Sequence, residues 1–149
     1  MKGTEQELNE RIEGYIIDMG LAFDKVQEGL WLIHDDVDYI DNIVVYHNAP
    51  VLTFRVKLID APEEKVRPEL FQRLLELNAT SMVAGAYGLE DGAVVIVDTV
   101  QSENLDENEF QASIDSIALA VREHYNELRA IIGGVTEGET ETVGAAGGA

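Results

Sequence analysis

Between Leu74 and Phe110 the chain reads LLELNATSMVAGAYGLEDGAVVIVDTVQSENLDENEF: the end of a helix, two strands about a tight turn, and a capped start into another helix. Met82 to Tyr87 and Ala93 to Val100 are expected as the strands. Gly88-Leu89-Glu90-Asp91-Gly92 joins them, because Asp-Gly suits the positive backbone angles of a reversing hairpin. Ala84, Gly85 and Ala86 are too small to pack much themselves, so this strand should admit close approach by another element, most simply a helix of the same domain. Asp106 and Glu109 stand at the spacing of a capping box. Phe110, Ile114, Ile117, Val121, Tyr125 and Leu128 then keep a helical period for more than four turns.

The rest of the chain follows the same grammar. Leu8, Ile12, Tyr15, Ile16 and Met19 recur at spacings of three and four and predict a first amphipathic helix from about Thr4 to Gly20. Thr4 and Glu7 have capping-box spacing, and Gly20 is a suitable stop. Between Ala22 and Ile59 the runs GLWLIH, NIVVYH and VLTFRVKLI predict three strands, the last two joined across Asn48-Ala49-Pro50. In the third run Leu52, Phe54, Val56 and Leu58 should face one way. Thr53, Arg55 and Lys57 should face the other, towards solvent or a bound peptide.

Pro62 and the acidic pair after it open a second helix carrying Val66, Leu70, Phe71, Leu74, Leu75 and Leu77. Its apolar arc is wider than one sheet contact demands. Two explanations fit: deep burial in its own domain, or a face shared with a partner or a second subunit through Val66, Leu70, Phe71, Leu74 and Leu75. The resulting order is α-β-β-β-α-β-β-α, a two-layer α+β domain with an antiparallel sheet over residues 1–132. A low-complexity acidic and glycine-rich tail, 133–149, has nothing to bury.

Composition narrows the activities. The 149 residues are 46% hydrophobic and fit one globular domain. With 29 acidic against 10 basic residues the formal net charge is −19, which repels nucleic-acid phosphates and anionic lipid. No cysteine is present and no apolar run nears the roughly 20 residues that span a bilayer, so a cytoplasmic protein with no membrane contact is expected. Arg55, Lys57, Lys65, Arg67 and Arg73 are half of all basic residues. They form either a cationic stripe for an acidic segment or charges paired with Glu63, Glu64, Glu69 and Glu76.

No constellation for bond chemistry is apparent. His34, His47 and His124 fall on separate elements without metal-ligand spacing, and the serines lack a glycine-flanked elbow. GAYGLEDG has neither the lysine nor the helix of a phosphate loop. The acidic run from His34 to Asp41 lacks the glycine and late glutamate of a calcium loop, so no metal and no cofactor are expected. The protein is therefore read as non-enzymatic. A sensor for a small ligand or metal, using that acidic run or a pocket beneath the small-residue strand, is the alternative.

The segment LLELNATSMVAGAYGLEDGAVVIVDTVQSENLDENEFQASI resembles the corresponding part of the type III secretion chaperone-like superfamily, in particular its YbjN-like branch. The shared pattern is a leucine-rich helix ending in Leu77-Asn78, a strand of small residues, the Gly88–Gly92 turn, a β-branched strand, and Leu105-Asp106-Glu107 opening a long last helix. The resemblance extends over residues 4 to 132. It implies a small acidic homodimer that binds a protein or peptide partner and performs no chemistry. It places Phe71, Leu74 and Leu75 at or near the dimer interface and makes exposed apolar sheet positions candidates for peptide capture.

Overall fold

The strands form where apolar and polar residues alternate, and the alternation decides which face is covered. A computed structural model describes residues 2–35, 40–60 and 62–133. Its elements are α1 (Lys2–Asp18), β1 (Ala22–Gln27), β2 (Leu30–Asp35), β3 (Ile40–Asn48), β4 (Val51–Asp60), α2 (Arg67–Thr80), β5 (Ala86–Glu90), β6 (Ala93–Gln101) and α3 (Glu107–Gly133). This is an α+β fold with an antiparallel sheet, and the expected order is present with one further strand, β1, ahead of the first predicted run. β1 escapes the apolar pattern because it is an edge strand whose side chains are nearly all exposed.

The six strands run in the order β1-β2-β3-β4-β6-β5. Register carries one apolar row across the inner face: Ile33 opposite Ile43, then Val56, Ile96 and Tyr87. A parallel row joins Trp31, Val45 and Phe54. Over these rows lie Ile12 and Ile16 of α1 and Phe110, Ile114, Ile117 and Val121 of α3, all buried. Phe110 is the keystone, with its ring 5.3 Å from that of Phe54 and 5.7 Å from that of Tyr15. Such tilted aromatic contacts add about 0.5–1.5 kcal/mol to simple burial.

The capping box that opens α3 forms as expected: the Glu109 amide donates to Asp106 Oδ1 at 2.7 Å, and the Asp106 amide donates to Glu109 Oε1 at 3.2 Å. At α1 the helix already begins at Lys2, so Thr4 lies inside it and does not open it. In β4 the alternation holds to Lys57. A bulge between Lys57 and Ile59 then inserts one extra residue, so Ile59 takes the buried place expected of Leu58.

Two corrections concern the stretch on either side of α2. Glu64–Val66 is a short 3-10 turn and α2 starts only at Arg67, because Pro68 has no amide to donate and fits the first helical turn. The strand expected from Met82 begins instead at Ala86, and the reversal narrows to Asp91 and Gly92 at φ 51° and 76°. The close approach offered by the small residues is made by β6: a Cβ on Gly85, at φ 79°, would lie 2.9 Å from the Val97 carbonyl oxygen. Gly88 has open space at the same position. Gly85→Ala should therefore cost about 2 kcal/mol in chemical denaturation, while Gly88→Ala stays within about 0.5 kcal/mol. Equal losses for the two would contradict the register.

Candidate protein-interaction surfaces

Adjacent leucines on one helix point about 100° apart, and α2 uses this to divide its apolar residues between two tasks. Leu70, Leu74 and Leu77 are buried inside the domain. Phe71 is half-buried and Leu75 is 69% exposed. Of the five residues expected at a partner or dimer surface, then, Leu70 and Leu74 are covered by their own chain, and Val66, half-buried, sits in the 3-10 turn before the helix. Phe71 and Leu75 remain available. They line an apolar hollow of about 220 Å³ against edge strand β5, whose Leu89 is 52% exposed.

The edge itself is partly closed by a residue that sequence reasoning passed over. Asn78 of α2 accepts from the Tyr87 amide through Oδ1 at 2.8 Å, and its Nδ2 donates to the Tyr87 carbonyl oxygen at 3.2 Å. One side chain thus makes both bonds that a neighbouring strand would make there, which blunts an exposed sheet edge. Beneath it the Tyr87 hydroxyl lies 2.8 Å from His124 Nδ1. Burial pushes the tyrosine well above its ordinary range, so the phenol stays neutral.

Among the described residues no helix covers the outer face of the sheet. Its central row runs Leu32, Val44, Arg55, Val97 and Ala86, and the next runs Leu30, Tyr46, Thr53 and Thr99. Thr53, Arg55 and Lys57 thus share the outer face. Arg55 and Lys57 border a shallow hollow of about 370 Å³ that includes Leu32, Val44 and Val95.

Four of the five clustered basic residues lie beside a carboxylate. Arg55 Nε lies 3.1 Å from Glu90, and Lys57 Nζ lies 2.9 Å from Asp60. Lys65 meets Glu63 at 3.9 Å, and Arg67 donates to the Pro62 carbonyl oxygen. Arg73 bridges Glu76 and Glu127 in an open cleft between α2 and α3. Gln72 and then Arg73 hold the Glu76 carboxyl below its usual range. Arg55, Lys57, Lys65 and Arg73 are thus paired surface charges, and Arg67 is held by a backbone carbonyl.

The histidines do not converge. His34 Nε2 lies 3.0 Å from Asp24, His47 meets Asn9 of α1, and His124 meets Tyr87. Among the described residues no three histidine or acidic side chains gather about a point. The middle of the acidic run from His34 to Asp41, residues 36–39, lies outside the described residues, as does the tail from residue 134. Among the described residues no helix is long and apolar enough to cross a membrane.

A sheet with one helix-covered face, a central helix at its edge and a long closing helix is the arrangement of a known family, and its family model matches residues 5–132. The chain belongs to the CesT_Tir_1 family of type III chaperones. No curated protein matches it by sequence. Among solved structures it is similar to YbjN from E. coli, at 12% identity and a TM-score of 0.59, covering 79% of this chain and 91% of that one. It is also similar to a chain of the heterodimeric ExoU–SpcU complex of the Pseudomonas aeruginosa type III secretion system, at 14% identity and a TM-score of 0.60, covering 81% and 97%. A chain of the ExsC–ExsE complex matches at 12% identity and a TM-score of 0.62, covering 82% and 93%. At these identities the likeness is one of fold, which is the type III secretion chaperone-like fold.

The bracket formed by Asn78 offers a direct check on the β5 edge. Asn78→Ala leaves the Tyr87 amide and carbonyl without it and should lower unfolding free energy by about 1–2 kcal/mol in denaturant titrations. Asn78→Asp should not restore the loss, because a carboxylate faces the Tyr87 carbonyl without a proton to donate.

Proposed function

We propose that this chain is a cytoplasmic, non-enzymatic protein-binding module that works as a homodimer. In it, Phe71 and Leu75 of α2 and Leu89 of β5 meet their counterparts in a second copy. Val66 borders that patch, and Leu70 and Leu74 support it from below. A partner polypeptide lies along the outer face of the sheet, over Leu32, Val44 and Val97, with Thr53, Arg55 and Lys57 as its polar contacts. The observation that carries this reading is the outer face: apolar rows on the middle strands with no helix above them among the described residues. Membership of a chaperone family supports it. An extended segment docked there gains apolar contact with alternate side chains, and the neutral Arg55–Glu90 and Lys57–Asp60 pairs offer hydrogen bonds.

The charge of the chain favours a basic or neutral partner over nucleic acid or an anionic membrane surface. Purification from the source cell followed by mass spectrometry should recover one polypeptide in stoichiometric amount, and recovery of none counts against the reading. Light scattering tests the dimer separately. Leu75→Glu should raise the dimer dissociation constant by about 100-fold, since it places charge in an apolar contact on both copies, while monomer stability changes by less than about 0.5 kcal/mol. A wild-type protein that is monomeric at high concentration would remove the α2 interface.

A further inference from the structure

His47 stands one residue before the end of β3, on the inner, covered side of the sheet, and it is almost fully buried. Its Nδ1 lies 2.6 Å from Oδ1 of Asn9, a residue of α1 that is itself buried. The orientation of that amide is fixed from the far side, because Asn9 Nδ2 lies 2.9 Å from the Glu28 carboxylate, which can only accept. Asn9 Oδ1 therefore faces His47, and the imidazole must carry its proton on Nδ1 to donate to it. Nε2 is left as the basic nitrogen, buried and without a hydrogen-bond partner.

We propose that His47 is a pH-sensitive latch: neutral, it holds the first half of α1 on the sheet, and protonation at Nε2 releases that half. A proton on Nε2 creates a buried cation with a donor that has no acceptor, which is costly unless the ring reaches water. Reaching water breaks the bond to Asn9. That bond and the Asn9–Glu28 bond join α1 to β3 and to the β1–β2 turn.

The surroundings do not offset this cost. From α1, Glu5 favours the charged ring, but it is exposed on the helix surface. From the β1–β2 turn, Glu28 is engaged by Asn9 and by Lys25 at 3.1 Å. Gly29 packs against the His47 carbonyl oxygen and accepts from the His47 amide at 2.7 Å. Across the sheet, Leu52 and Val100 occupy the adjoining register positions and bring no charge. Burial outweighs Glu5 and pushes the imidazole below its ordinary value.

The sign follows from linkage. The unfolded or opened chain binds the proton more readily than the closed one, so closure is fully stabilised above the ordinary histidine value near 6.5 and weakens as pH falls below it. The later part of α1 has anchors of its own: buried Ile16, and the Tyr15 hydroxyl, which donates to the Leu105 carbonyl oxygen. Opening is therefore local to the first half.

Hydrogen exchange of the intact chain across pH 5 to 7.5, corrected for intrinsic rates, tests the latch. In the wild type, protection of α1 amides around Asn9 and Ile12 should fall by up to about tenfold per pH unit below 6.5, while β4 and β6 amides do not follow. His47→Asn keeps a donor at the δ position and has no basic nitrogen, so its α1 protection should be flat. Parallel loss in α1 and in β4 and β6, or a His47→Asn variant that titrates like wild type, overturns the proposal. Should His47→Asn fail to fold, the wild-type His47 ring resonances decide: their titration midpoint must match that of α1 opening, and a mismatch overturns it.

Discussion

Everything in this molecule depends on covering one face of a six-stranded sheet. Phe110 sits at the centre of that cover, where its ring meets Phe54 of the sheet and Tyr15 of α1 and so ties the last helix to the first. Truncating a buried phenylalanine of this kind costs about 3–5 kcal/mol, a large part of the stability of a domain this size. Among the described residues, α1 and α3 are committed to the inner face and no helix lies over the outer one. α2 is placed by its connections at the β5 edge. The uncovered face is thus a consequence of topology.

The charge distribution follows the same division. A net charge of −19 suggests a uniformly repulsive surface, yet basic residues sit beside carboxylates at Arg55–Glu90, Lys57–Asp60 and Arg73–Glu76. Exposed pairs of this sort add little to stability, because solvent screens them. Around Arg55 and Lys57 they nevertheless remove net charge from the sheet face that carries apolar side chains. A partner meeting that face encounters apolar rows and neutral pairs.

The elements legible in the sequence are those specified locally. The Asp106–Glu109 box, the Asp91-Gly92 reversal, the alternation from Leu52 to Val56 and the period of α3 each arise within a few residues. What stayed illegible depends on distant neighbours. β1 is polar because it is an edge, and edges have no apolar stripe to read. The bulge after Lys57 is set by pairing with β6. The division of α2 into a buried Leu70–Leu74–Leu77 stripe and an exposed Leu75 was visible only as an arc too wide for one contact. Asn78 and the Asn9–His47 pair act across 9 and 38 positions of chain, where no spacing rule applies.

The central claim is that partner recognition uses the faces this scaffold leaves open. Hydrogen exchange on the complex purified with its bound polypeptide, compared with the free protein, tests it most directly. New protection should appear in β3 and β4, across the outer-face residues Val44 to Lys57, with α3 unchanged. Protection confined to the solvent side of α1 or α3, with β3 and β4 unchanged, would contradict it.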